Sequence, residues 1–233
     1  MMEKTLNEGL NALGLSLPQE RQETLCAFAR AMVKQNEVMN LTAITEDAQV
    51  AKLHLLDSLT VLCCADLKGK TLIDVGCGAG FPGVPLAIAC PEANITLLDS
   101  LGKRVKWLEQ ILPQLGIHAE CVTARAEEAV ASRRESYDFA TSRAVAALPL
   151  LSELCLPLVK PGGWFLAMKA VDSDEELRSA AHAIETLGGQ LVRTENYQIP
   201  GIDVSHRLVF IKKIKETPKK YPRPFAKIKK NPL

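Results

Sequence analysis

From Thr71 onward, short runs of β-forming residues alternate with longer helical ones, and this alternation constrains the fold more than any other feature of the chain. The runs TLIDV, NITLLD, HAECVT, YDFATS and WFLAMK each span five or six residues. Helical spacings fill the gaps between them, notably in GKRVKWLEQILPQLG and LPLLSELCLPLV. Strands separated by helices are predicted to lie parallel, with helices covering both faces of the sheet. After the helix-like SDEELRSAAHAIETLGG come QLVRTENYQI and HRLVFIKKI, joined by the short turn PGIDVS, and two strands so joined must pair antiparallel.

Three segments precede this pattern. Leu6 to Leu13, Pro18 to Asn36 and Gln49 to Cys63 carry apolar residues three and four apart and are predicted helices. Between the last two, Asn40 and Thr42 favour a turn and Thr45 is placed to cap the next helix. The expected organisation is one principal domain without internal repeats: a helical extension over residues 1–65, a Rossmann-like core over 66–214 and a basic tail over 215–233.

The first strand runs into LIDVGCGAGFPGVPLAIA, residues 72–89. In a doubly wound sheet, the turn after the first strand faces the ligand, and glycines there permit positive φ and close approach to bare backbone. Pro82 and Pro85 suit the first turn of the following helix. Gly78, Gly80 and Gly83 satisfy the dinucleotide pattern G-x-G-x-x-G, so a nicotinamide cofactor is one reading. Against it stand the G-x-G-x-G run from Gly76 and Asp74 inside the strand. A carboxylate there repels a pyrophosphate and can pair with the ammonium of an amino-acid-bearing nucleoside. Asp99, ending the second strand, is placed to hydrogen-bond ribose hydroxyls, which suits either nucleoside. The acid, the glycine run and the turn LVKPGGWFLAMK resemble the S-adenosylmethionine-dependent methyltransferases.

Acceptor chemistry narrows by residue type. Where enzymes that methylate exocyclic adenine amines carry Asn or Asp followed by Pro-Pro-aromatic, this chain reads TSRAVAALP. None of its seven cysteines follows a proline, which disfavours covalent methylation of cytosine C5. An acceptor that is already nucleophilic remains, such as guanine N7 or a small amine, and it needs positioning rather than a general base. No catalytic residue is therefore named.

The segments MNLTAI, HLLDSL, DVGCGAGFPGVPLAI, LLDSLGKRVKWLE, SRAVA, LSELCLPLV and KKYPRPFAKIKKNPL together resemble the bacterial small-subunit ribosomal RNA methyltransferase G family, also called glucose-inhibited division protein B, across essentially the whole chain. The resemblance implies an α/β, class I S-adenosylmethionine-dependent methyltransferase fold with a seven-stranded, mostly parallel sheet. It implies methyl transfer to N7 of guanine 527, in the 530 loop of 16S ribosomal RNA, with S-adenosyl-L-methionine as cofactor and the small ribosomal subunit or an assembly intermediate as partner. It implies that Gly76, Gly78 and Phe81 line the cofactor in the loop. Asp74 serves its methionine end, Asp99 and Ser100 its ribose, Ala126 and Glu127 its adenine edge, and Arg143 the far side of the pocket. An NAD-dependent oxidoreductase and a non-catalytic RNA-binding protein are the competing readings.

Bland alternatives stand beside these roles. Glu127 could merely favour a helix dipole, and Arg143 could pair with Asp138. His54 reads as a core or capping histidine, and Lys103, Arg104 and Lys106 as a solvated helix face. From Lys212 to Leu233, nine Lys or Arg residues accompany one acid and four prolines, so an extended tail is expected, with Tyr221 and Phe225 available to stack on bases. Single histidines and the lack of any C-x-x-C argue against zinc. The acidic start and the shortness of the apolar runs argue against export or a membrane span, so a cytoplasmic location is expected, and separately a monomer.

Overall fold

A computed structural model describes residues 1–143, 145–203 and 205–233. Ala144, inside the SRAVA segment, and Val204, inside the segment PGIDVS, lie outside the described residues. Seven strands form one sheet: β1 (Thr71–Val75), β2 (Asn94–Asp99), β3 (Glu120–Thr123), β4 (Tyr137–Arg143), β5 (Val159–Ala170), β6 (Gly189–Gln198) and β7 (Ser205–Lys213). Their order is β3-β2-β1-β4-β5-β7-β6. The first five strands pair in parallel, and β7 pairs antiparallel with both β5 and β6. The strands called from alternation are therefore present. β5 begins earlier than expected because Val159, ahead of the Pro161–Gly163 turn, already pairs with Tyr137.

Two apolar layers sandwich the sheet. One holds α6 (Gly83–Ala89) and α7 (Gly102–Gln114) together with the N-terminal helices α1 (Met2–Ala12) and α2 (Gln19–Met39). Phe28 of α2 reaches the site loop, its ring centroid 5.6 Å from that of Phe81 and 6.0 Å from that of Trp107. The opposite layer holds α8 (Ala126–Arg133), α9 (Leu148–Cys155), α10 (Asp174–Thr186) and α11 (Phe225–Lys230). The outer strand β6 is largely exposed and charged, and a register shift between Leu191 and Arg193 interrupts its ladder. Charge and a bulge at an edge both discourage pairing with another chain. Among the described residues no helix is long and apolar enough to cross a membrane.

Three expectations need correction. The segment from Gln49 to Cys63 is not one regular helix: it runs through α3 (Asp47–Val50), a π-helical turn (Ala51–Leu56), α4 (Asp57–Leu59) and α5 (Val61–Cys64). Spacings of three and four cannot reveal a single widened turn, since the apolar stripe continues through it. Its N-cap is Glu46 rather than Thr45, the Glu46 carboxylate accepting from the amides of Ala48 and Gln49 at 3.0 and 2.9 Å. The basic tail is not extended. Pro218, Pro222 and Pro224 precede α11, and the stretch FAKIKK between Pro224 and Pro232 is free of proline and helical. Ile228 is fully buried against α9, and Tyr221 is buried too, so Tyr221 is not available to stack on a base.

Candidate cofactor site

The carboxyl ends of β1, β2 and β4 meet where strand order reverses, the place where such sheets bind ligands. A cavity of about 440 Å³ opens there, within the range of small-molecule sites. Gly76, Gly78, Phe81, Asp99, Ser100, Ala126, Glu127 and Arg143 all line it.

The bend after β1 explains its glycines. Gly76 sits at φ +74°, and a Cβ there would lie 2.6 Å from Val145 Cγ2 across the cavity. Gly83, at the start of α6, has no room either: a Cβ would lie 2.3 Å from Leu97 of β2 and 2.9 Å from Asp74 Oδ2. Two carboxylates then fix the bend. Asp99 Oδ2 accepts from the Gly78 amide at 2.9 Å and its Oδ1 from the Leu101 amide at 2.8 Å. Asp74 Oδ2 accepts from the Gly83 amide at 2.8 Å.

Asp74 departs from its expected role. It is fully buried and lies behind the cavity wall rather than in it, so it shapes the bend and does not present a carboxylate at the surface of the site. Burial pushes its carboxyl up to about 7, and its Oδ1 has no hydrogen-bond partner among the described residues. A carboxyl that burial pushes toward its neutral form, set behind the wall, discriminates weakly between a diphosphate and an ammonium, so the electrostatic argument from this residue loses force.

Arg143 is not an ion-pair partner of Asp138, which pairs instead with Lys160 at 2.5 Å. Its guanidinium donates to Asp57 Oδ2 at 2.7 Å and to the Leu53 carbonyl at 3.0 Å. Asp57, almost fully buried, also accepts from the Tyr197 hydroxyl at 2.8 Å and meets His206 Nδ1 at 2.7 Å. Burial would raise the Asp57 carboxyl, but the His206 hydrogen bond and the Arg143 charge outweigh it and hold the group below its ordinary value. The same hydrogen bond to Asp57 raises the pKa of His206.

His54 is no core histidine. It lines the cavity, stacks on Phe81 with centroids 4.8 Å apart, and places Nδ1 3.3 Å from Arg143 Nη2 and Nε2 2.8 Å from Thr42 Oγ1. A guanidinium can only donate, so Nδ1 accepts and Nε2 carries the proton toward Thr42. Burial, with the nearby Arg143 charge, lowers its pKa to about 4, which keeps the ring neutral. Thr42 is held in turn by the end of α2: Asn40 adopts φ 49°, and Asn36 Oδ1 accepts from the amides of Leu41 and Thr42 at 2.6 and 2.8 Å.

Residue-level reasoning also missed Arg104 and Phe225. Arg104 leaves the solvated face of α7 to line the cavity, 4.0 Å from Asp99 Oδ2, while Lys103 and Lys106 stay exposed. Phe225 brings α11 to the cavity mouth, with the Arg125 guanidinium 5.0 Å from its ring centroid. Among the described residues, no group of three or more His, Cys, Asp or Glu is arranged to hold a metal ion.

A sheet of this order, with a glycine bend after its first strand and an acid ending its second, is the class I S-adenosylmethionine-dependent methyltransferase fold. A solved S-adenosylmethionine-dependent methyltransferase from Aquifex aeolicus shares it, with a TM-score of 0.52 and 20% identity, covering 71% of this chain and 93% of that one. The family profile described as rRNA small subunit methyltransferase G matches residues 21–203. Ribosomal RNA small subunit methyltransferase G of Alkaliphilus metalliredigens is 43% identical over 98% of this chain and 97% of its own length. The protein of the same name from Clostridium botulinum is 44% identical, over 95% of this chain and 94% of its own length. The chain belongs to the rRNA small subunit methyltransferase G family.

Proposed function

We propose that this protein transfers the methyl group of S-adenosyl-L-methionine to N7 of a guanine in 16S ribosomal RNA, within the cytoplasm. The observation that carries the reading is the cavity at the strand-order reversal, with bare glycine backbone at one end and Asp99 and Glu127 along its wall. These residues fit a nucleoside bearing an amino acid. Asp99, tethered by two amides, keeps lone pairs free for ribose hydroxyls. Glu127, half-buried at the start of α8, can accept from an exocyclic adenine amine. Gly76 and Gly78 leave room for the methionine portion against the backbone, and Phe81 and Leu101 supply apolar surface.

When bound, the cofactor supplies an electrophilic methyl on a positively charged sulfur. The chain's part is to hold that methyl in line with the acceptor and to keep water out, and neither task calls for an acid-base pair. His54 cannot serve as a base toward the cavity while Nδ1 accepts from Arg143 and Nε2–H faces Thr42.

Incubating the protein with labelled methyl donor and small subunits or 16S RNA lacking the modification, then mapping the methylated base, tests the reading. Label at a guanine N7 is the expected result. Calorimetric binding of NAD without binding of the methyl donor, or donor binding without any transfer to RNA, would overturn it.

A further inference from the structure

A second cavity, of about 560 Å³, lies beside the first. It is bounded by the π turn on one side and by the end of β5 and the start of β7 on the other. His54 and Arg143 line both cavities. Phe81, which stacks on His54 and lies 5.4 Å from the Arg143 guanidinium carbon, lines the first alone. The two cavities therefore meet at His54 and Arg143, which Thr42 and Asp57 hold in place.

Group transfer needs two compartments that meet at one point, because reacting atoms must approach to about 3 to 3.5 Å along a line. Resting on the reading above, we propose that the second cavity receives the acceptor guanine, its O6 toward Arg143 and its N7 toward the cofactor cavity. Ile44, Leu53 and Met168 give the cavity apolar surface for a base, and Asp57, Arg143, Tyr197 and His206 give it polar groups. Guanine carries two acceptors, O6 and N7, along one edge. A guanidinium held in place by Asp57 can donate to O6 and leave the adjacent N7 lone pair free. Adenine presents an amino group at the same place, and two donors then face each other. Arg143 is thus a specificity-determining residue as well as a wall of the cofactor site. The opposite edge of guanine, N1–H and the N2 amino group, offers donors, and the exposed Asp172 on the cavity lip can accept them.

The chemistry balances without any further group. The N7 lone pair forms a bond to the methyl carbon as the carbon–sulfur bond breaks, and its electron pair stays on sulfur. No proton leaves, and the positive charge passes from sulfur to the base. Asp57, which lines the cavity as a carboxylate, is placed to favour the charge arriving there.

Ala170 and Ser205 line the second cavity but not the first, and both are at least partly solvent-accessible, so a large side chain at either fills the cavity without entering the core. Ala170→Trp and Ser205→Trp are each assayed for methyl-donor binding by calorimetry and for labelled methyl transfer to undermethylated small subunits, beside the unaltered protein. The expected result is transfer reduced about 100-fold, the scale of a misplaced acceptor, with donor affinity retained as proof of an intact fold. Transfer at the unaltered rate in both variants overturns the proposal, as does equal loss of donor affinity, which would make the two cavities one site. An unaltered protein that binds donor and methylates no RNA refutes the function proposed above instead.

Discussion

Arg223 anchors the C-terminal segment, and its removal has a magnitude that the structure sets. Glu153, in the middle of α9, is fully buried. Its carboxylate accepts from the Arg223 amide at 2.8 Å, from Nε at 2.9 Å and from Nη2 at 2.6 Å. Arg223→Ala leaves the backbone amide as the only one of these donors to a carboxylate shut away from water. Breaking a buried pair from one side costs about 3 to 5 kcal/mol, because the remaining charge is uncompensated. In a chain of this size that corresponds to a fall in Tm of about 6 to 20 °C. Urea unfolding of Arg223→Ala, Arg223→Met, Glu153→Leu and the double variant Glu153→Leu/Arg223→Met separates the pair from its parts, the cycle being closed with the two singles that the double variant contains. The double variant should recover most of the loss, since an apolar pair can replace a buried ionic one at little cost. Phe225, two residues beyond, lines the cofactor cavity, so Arg223→Ala should also weaken methyl-donor binding at temperatures where the protein stays folded. A loss below about 1 kcal/mol, the scale of an exposed pair, would refute the reasoning. So would a double variant as unstable as the two single losses added together.

Other expectations concern the site's titratable groups. Asp99→Ala removes a carboxylate that lines the cavity and ties two loop amides, and should weaken donor binding by about 1.5 to 3 kcal/mol in calorimetry; unchanged affinity would take Asp99 out of the site. Asp74, with its folded pKa raised to about 7 against 3.8 unfolded, binds more protons folded than unfolded, so stability falls as pH rises across that window. Asp74→Asn should therefore stabilise the ligand-free protein at pH 8 by about 2 to 4 kcal/mol, read from urea unfolding, with no gain near pH 3.5. His54 has the opposite sign: its folded pKa of about 4 lies below 6.5, so the folded state binds fewer protons and stability rises from pH 4 to 6.5. His54→Gln should flatten that rise by about 2 to 3 kcal/mol, after discount for partial exposure, and a profile unchanged by the substitution would contradict the buried neutral ring.

Local pattern carried most of the sheet, because alternation over five or six residues is a property of one strand and its two faces. The glycine bend was legible for the same reason: φ and the space for a Cβ are set within a few residues. The Asp57 cluster was not. Its partners Arg143, Tyr197 and His206 lie 86, 140 and 149 positions away, so no window of sequence contains the network. HLLDSL and SRAVA marked the right segments through resemblance, without indicating that they touch. His54 was misjudged because its apolar neighbours on the helical face point to a core, whereas the π turn rotates the register and delivers the ring to the cavity. Asp74 shows the reverse error. An acid inside the strand, two positions ahead of Gly76, reads as a ligand group, but the alternation of a strand sends it beneath the bend toward Gly83.

The cavity proposed for the cofactor is completed by elements far along the chain from its glycine bend. Phe225 of α11 stands at its mouth, and His206 on the final strand steadies Asp57 and, through it, Arg143. Substitutions in α11 or β7 can therefore disturb the site without touching its glycines.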